Sequence, residues 1–257
     1  MANKTVGVRS LREELPDVLR EVKETGRPVT VTRHGEALAT IVPGTLPTAA
    51  RAPRILALNS LKGGVGKTTI TMHLAAAIAA AGERVTVLDA DEEVSALRWQ
   101  QHAQADSISL PFRVVAADRN SLMRQARELA RDGTVVIIDT PPNNREILKS
   151  AATVADVVLV PVLPTAMDLD RLGTTLELLA DLEAALPNFN YAIVLNRFDA
   201  RKAMAHDANT ALDRHPRFET VIRSLAAYER GFGTAPSELE QFRQLWEELL
   251  QVMGSDA

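Results

Sequence analysis

Residues 61–69 read Leu-Lys-Gly-Gly-Val-Gly-Lys-Thr-Thr, and no other stretch restricts the chain so tightly. The run follows an apolar segment, Ile55–Leu58, and opens an alanine-rich stretch from Ile70 to Ala81 that stops at Gly82. Strand, glycine turn and helix in that order are the context of a phosphate-binding loop. Gly63, Gly64 and Gly66 let the backbone N–H groups of the loop, from Gly63 through Val65 to Thr69, close around phosphate oxygens. The N-terminus of the following helix adds partial positive charge. Lys67 is the residue that reaches the terminal phosphates, and Thr68 offers its hydroxyl to Mg²⁺.

Three patterns compete for these glycines. Gly64-x-Gly66, with Asp89 at the next strand end, mimics a dinucleotide fingerprint, but Thr69 stands at the third glycine position. The usual G-x-x-x-x-G-K-[ST] loop does not fit, because Leu61 occupies its first glycine. The run fits K-G-G-x-G-K-T-T, which puts an additional lysine, Lys62, at the front. On this run the chain resembles the deviant-Walker ATPases of the ParA/MinD superfamily. The resemblance implies ATP and Mg²⁺ as cofactors and a sandwich homodimer in the ATP state. It also implies that Lys62 crosses the dimer interface to the partner's nucleotide.

Further motifs agree. Val85–Leu88 delivers Asp89-Ala-Asp91 to the carboxyl end of a strand, the edge at which open α/β sheets bind ligands. The resemblance assigns Asp89 to the metal and Asp91 to orienting the attacking water. Phosphoryl transfer depends on positioning and charge neutralisation, so a carboxylate serves there. Relatives usually continue with Pro-Gln; this chain has Glu92-Glu93, two more negative charges beside a triphosphate. Ser95 and Trp99 follow, as in the plasmid-partition branch. Val135–Ile138 leads into Asp139-Thr-Pro-Pro142, a Walker B pattern whose carboxylate holds a Mg²⁺-bound water. Ala155–Pro161 and Thr165-Ala-Met-Asp168 match the next strand and loop of the family. Ile193–Leu195 with Asn196-Arg197 matches the strand end beside the adenine, which assigns Asn196 to the base. The catalytic set is then Lys62, Lys67 and Asp91, and the metal set is Thr68, Asp89 and Asp139.

Strand candidates at 54–59, 84–88, 112–116, 134–138, 157–161, 191–195 and 219–222 alternate with helices. A last helix runs from about Pro236 to Met253 behind a Ser237/Glu240 capping box. This alternation predicts an α/β fold with a doubly wound, mostly parallel sheet over residues 54–257. Residues 46–53, with small residues and prolines, read as a linker. Residues 1–45 read as a small βααββ domain. Its parts are a strand at Thr5–Val8, a brief helix capped by Ser10 and Glu13, and a second helix from Pro16 to Thr25 stopped by Gly26. A hairpin of Val29–Thr32 and Ala37–Val42 around His34-Gly35 completes it. Val6 to Leu19 followed by Gly26 to Ala39 resembles the Phd/YefM antitoxin N-terminal domain, which implies dimerisation and operator-DNA binding with Arg9, Arg12 and Arg33 at the DNA. The toxin-neutralising tail of that family is replaced by the linker.

The absence of cysteine excludes disulfides, thiolate zinc and Fe–S ligation, and with them the iron-protein branch of the superfamily. No apolar run reaches the ~18 residues of a membrane span, so a cytoplasmic protein is expected, and the resemblance to ParA-type ATPases implies that it is nucleoid-associated. The net charge is −4, yet residues 1–54 hold nine basic against six acidic residues. The C-terminal helix is amphipathic but acidic, unlike a membrane-targeting helix of MinD type. A ParA-type partition ATPase is expected. The resemblance implies that its ATP dimer binds DNA without sequence preference and that a centromere-binding partner releases it by stimulating hydrolysis. Arg197, Arg201, Lys202, Arg223 and Arg230 are the phosphate-contact candidates. The alternatives are a transcription regulator with nucleotide-controlled dimerisation, or a MinD-like positioning ATPase.

Overall fold

The computed structural model describes residues 4–33, 36–41, 54–186, 189–202, 208 and 210–255. The chain divides into two compact units, one ending at Ala50 and the other beginning at Arg51. The predicted linker, the His34-Gly35 turn and the side chains of Arg9 and Arg12 lie outside the described residues.

The small unit is β1 (Lys4–Gly7), α1 (Val8–Thr25), β2 (Val29–Arg33) and β3 (Glu36–Ile41). Strand β2 lies between a parallel β1 and an antiparallel β3. The two predicted helices are one continuous helix of 18 residues with Pro16 inside it, so the order is βαββ. The stripe decides this: Val8, Leu11, Val18 and Val22 recur at helical spacing and pack on Val6, Val29 and Val31 of the sheet. Gly7 caps the helix without a side-chain bond, so Ser10 is an interior residue rather than a cap. Gly26 stops it as predicted, in the left-handed region at φ 68°, donating to the Val22 carbonyl at 3.1 Å.

The large unit holds a six-stranded parallel sheet in the order β6-β5-β7-β4-β8-β9. Its strands are β4 (Ile55–Leu58), β5 (Val85–Asp89), β6 (Arg113–Ala116), β7 (Val135–Asp139), β8 (Val157–Val162) and β9 (Tyr191–Leu195). Nearly every residue of the inner strands is apolar and enclosed, as a sheet covered on both faces requires. One face packs on α4 (Leu122–Arg131), α5 (Arg145–Val154) and α6 (Ala166–Ala185). The other packs on α2 (Lys67–Ala80), α3 (Ser95–Ala105) and the C-terminal α8 (Glu240–Ser255), with the short α7 (Ala226–Arg230) beside them. Register aligns Leu58 with Asp139 and Asp89 with Asp139, so the loop after β4 and both aspartates emerge at one sheet edge.

The expected strand at 219–222 does not form. Residues 216–224 run beside β9 as an irregular segment, with the Ile193 N–H on the Pro216 carbonyl (2.8 Å) and the Ile222 N–H on the Leu195 carbonyl (2.8 Å). Side chains of α8 take the amides a further strand would have used: Glu248 accepts from Glu219 and Thr220, and Gln241 accepts from Arg223. Helix α8 starts at Glu240 rather than Pro236, because Glu238 stands at φ 54° and interrupts the turn.

Phe242 anchors α8 to α2. It is fully buried and stacks on His73 at 5.1 Å between ring centres. Phe242→Ala should therefore lower the unfolding free energy by about 3–5 kcal/mol, measured by urea denaturation followed by circular dichroism.

Candidate functional site

The loop between β4 and α2 turns on two left-handed glycines, Gly64 at φ 76° and Gly66 at φ 90°. A β-carbon at Gly66 would lie 2.3 Å from Asn196 Nδ2, so both conformation and space demand glycine there. Asn196 donates through Nδ2 to the Val65 carbonyl (2.7 Å) and accepts the Arg197 N–H at Oδ1 (2.9 Å). Asn196 thus braces the loop from both polar ends, while its amide retains a second Nδ2 hydrogen and a second Oδ1 lone pair with which to meet a base.

Thr68, in the first turn of α2, donates its hydroxyl to Asp139 Oδ2 at 2.6 Å. Thr71, one turn on, reaches Asp139 Oδ1 at 3.4 Å. Asp139 ends the central strand β7 and is almost fully enclosed. Burial pushes its carboxyl up to about 7, against the bond from Thr68; the nearby carboxylates of Asp89 and Asp91 push in the same direction as burial, and Lys67 opposes them.

Lys67 is buried, and its ammonium folds back to the carbonyls of Ser60 (3.5 Å) and Lys62 (3.4 Å). Burial lowers its pKa, countered by the charges of Asp139 and Asp91. Lys62 points elsewhere and pairs with the buried Asp168 in the first turn of α6. Asp89, whose pKa burial raises, accepts the Asp91 N–H at Oδ1 (3.2 Å) and the Leu97 N–H at Oδ2 (2.9 Å). It fixes the turn that carries Asp91 to the mouth of the site. Asp91 in turn accepts the Glu93 N–H at 3.0 Å, while the side chains of Glu92 and Glu93 are exposed.

Beside the loop a cleft of about 420 Å³ opens between Thr68, Thr69, Trp99, Arg223, Leu225 and Tyr228. Arg197, at φ 52°, also faces it. Under its wall lies the fully buried His73, which shares a hydrogen bond with the Thr69 carbonyl at Nδ1 (2.8 Å) and packs edge-on to Trp99 and Tyr228. Among the described residues its Nε2 has no hydrogen-bond partner, and burial lowers its pKa. Trp99 donates to the Thr234 carbonyl at 2.8 Å.

The five cations proposed for DNA differ in their surroundings. Arg197 and Arg223 line the cleft. Arg201 grips Asp199 with two bonds of 2.9 Å, which hold the Asp199 carboxyl at about 2. Lys202 and Arg230 are exposed, as is Arg33 of the small unit. Sequence reasoning gave no role to Asp168 and missed the cleft wall at 223–228. Thr165-x-x-Asp168 reads as a helix start, and nothing local ties it to a lysine more than a hundred residues earlier.

Strand, loop and helix with a paired Thr68 and Asp139 define a P-loop nucleoside triphosphatase. A family model described as VirC1 protein matches residues 54–230. A maintenance of carboxysome distribution protein A from Gloeobacter kilaueensis is 35% identical over 183 residues, 69% of this chain and 80% of that protein. The VirC1 protein of Rhizobium rhizogenes is 33% identical over 141 residues, 52% of this chain and 61% of its own length. Among solved structures, apo McdA of Cyanothece matches with a TM-score of 0.62 at 19% identity, covering 77% of this chain and 98% of that one. A cobyrinic acid a,c-diamide synthase of Mycobacterium smegmatis, holding ADP and magnesium, matches with a TM-score of 0.62 at 20% identity over 79% of this chain and 96% of its own. The chain belongs to the VirC1 protein family, within the ParA/MinD superfamily of ATPases.

Because folding raises the carboxyl of Asp139 from its ordinary value to about 7, its contribution to stability is complete at low pH and is lost as pH rises to 7. Asp139→Asn should therefore flatten the pH dependence of unfolding between about pH 4 and pH 7, and stabilise the metal-free protein at pH 8. Denaturation in chelator across that range measures both.

Proposed function

We propose that this chain is a ParA-type positioning ATPase that hydrolyses ATP with Mg²⁺ and moves DNA. The observation that carries the reading is the Thr68–Asp139 pair beside two lysines on one loop. Among the described residues no three acidic or histidine side chains converge as a metal cage. Single hydroxyl and carboxylate oxygens suit Mg²⁺, which keeps several waters and takes phosphate oxygens as its other ligands. Bound there, Mg²⁺ neutralises charge on the phosphate oxygens. Neighbours of this fold hold ATP, or ADP with magnesium, which supports the same cofactors here.

In this reading the loop amides from Gly63 to Thr69 cradle the phosphates. Lys67 gives up two long carbonyl bonds for the terminal phosphates. Asp91 orients the attacking water, and Asp89 acts by holding the turn beneath it. Lys62 reaches the nucleotide of the partner in an ATP-dependent homodimer, as the resemblance of its loop to the deviant-Walker ATPases implies. The cleft walled by Trp99, Tyr228 and Leu225 receives the base.

The ATP dimer binds DNA through outward cations, with Lys202 and Arg230 the strongest remaining candidates, and a centromere-binding partner triggers release. Relatives named for chromosome partitioning support a DNA cargo. A relative named for carboxysome distribution favours a second reading, a protein body as cargo. Acidic residues in α8, among them Glu240, Glu247 and Glu248, oppose a membrane reading. Among its described residues the small unit buries a core of five valines and leaves Leu15, Leu19 and Leu38 exposed, which supports dimerisation. Arg9, Arg12 and Arg33 would then face operator DNA.

Lys67→Ala should abolish ATP binding measured by calorimetry. Asp91→Ala should keep ATP-dependent dimers while turnover falls about 100-fold or more; normal turnover would remove Asp91 from the mechanism. Residues 51–257 should bind random-sequence DNA with ATP but not with ADP, with affinity falling steeply in salt. Salt-independent or absent binding would favour the protein-cargo reading.

A further inference from the structure

Helix α2 buries Lys67, Thr71 and His73 among apolar neighbours. Lys67 bonds to the carbonyls of Ser60 and Lys62, and His73 to that of Thr69. Thr71 bonds to a carboxylate instead, donating its hydroxyl to Asp139 Oδ1 at 3.4 Å. A hydroxyl on a helix commonly returns to the carbonyl four residues earlier. Thr25, Ser150 and Thr153 do so in this chain, at 2.7, 2.9 and 2.7 Å. Thr71 directs its hydrogen away from the helix and toward the site. It is fully enclosed and takes no part in the cleft wall, whereas the half-buried Thr68 does line the cleft. Any influence of Thr71 on a bound nucleotide or metal therefore passes through Asp139.

Three positions separate Thr68 from Thr71, so both hydroxyls rise from one face of α2 toward the same carboxylate. Thr68 holds Oδ2 at 2.6 Å and Thr71 reaches Oδ1. A carboxylate held at one oxygen is free to pivot, because the torsion about its Cβ–Cγ bond is broad. Held at both oxygens, it keeps one plane. Each oxygen retains a further lone pair, and the fixed plane sets the direction of both.

We propose that Thr71 is a positioning residue for the metal: it fixes the plane of the Asp139 carboxylate from beneath, so that the lone pairs left on that carboxylate are aimed at a Mg²⁺-bound water. The proposal rests on the reading of Thr68 and Asp139 as residues that hold Mg²⁺. Partners of this kind, one contact behind the group that meets the metal, typically carry about 10- to 100-fold in metal affinity.

The test measures ADP binding to the full chain by calorimetry, with Mg²⁺ and with chelator, and takes the ratio of the two affinities as the contribution of the metal. Thr71→Val keeps the shape of the side chain and removes the hydroxyl. It should leave ADP affinity in chelator unchanged and lower the ratio about ten-fold, the factor equal to about 1.4 kcal/mol. Thr71→Ala, a second variant without the hydroxyl, should lower the ratio in the same way. Thr71→Ser, which keeps the hydroxyl, should restore it. With Mn²⁺ in place of Mg²⁺ and ADP present, electron paramagnetic resonance should show the same loss of bound metal in Thr71→Val and the same recovery in Thr71→Ser. In an Asp139→Asn background, Thr71→Val should have no further effect on the ratio. An unchanged ratio in Thr71→Val, or a further fall in the Asp139→Asn background, overturns the assignment of Thr71 alone. So does a loss of ADP affinity that is equal with and without Mg²⁺, which marks a hydroxyl needed only for the shape of the loop. If Asp139→Asn by itself leaves the ratio intact, the reading of Asp139 as a metal-holding residue fails and the proposal falls with it.

Discussion

A carboxylate at the end of the central strand, sealed from water and held by two threonine hydroxyls, is the point on which the large unit turns. Asp139 lies in register with Leu58 and with Asp89, so its position is inherited from two strand pairings at once. Thr68 ties it to the first turn of α2. Loop, strand edge and helix start therefore cannot shift independently. The cost is a carboxyl whose charged form the surroundings resist, and that same resistance makes it avid for a cation.

Much of this was legible in order. The spacing of Gly63, Gly64, Gly66, Lys67 and Thr68 encodes a local backbone path, and local paths are what sequence patterns describe best. Five of the six strands of the large sheet match their predicted bounds to within one residue at each end, and β9 matches fully, because buried parallel strands are short apolar runs between breakers. What failed was decided by partners far along the chain. Residues 219–222 have the apolar content of a strand, yet Glu248 and Gln241 of α8 claim the amides first. Pro16 reads as a helix start, yet one continuous stripe of Val8, Leu11, Val18 and Val22 packs better on the valines of the small sheet than two separate pieces.

The site divides in the same manner. Asp91, Asp139 and Thr68 declare themselves by position after strands and glycines. Asp168 does not, because its meaning lies in a contact with Lys62 across 106 positions. Asn196 was legible as a residue at the site but not in its task, since only the close approach of Gly66 and Val65 shows it bracing the loop.

Both outer strands of the large sheet are blunted by their own chain. On β6 the Val114 N–H is taken by the Gln100 side chain, and on β9 the irregular segment after Pro216 occupies the exposed ladder. Open ladders of this kind would template β-pairing between molecules. With these edge amides occupied by their own chain, the sheet offers a neighbouring copy a shorter ladder to extend.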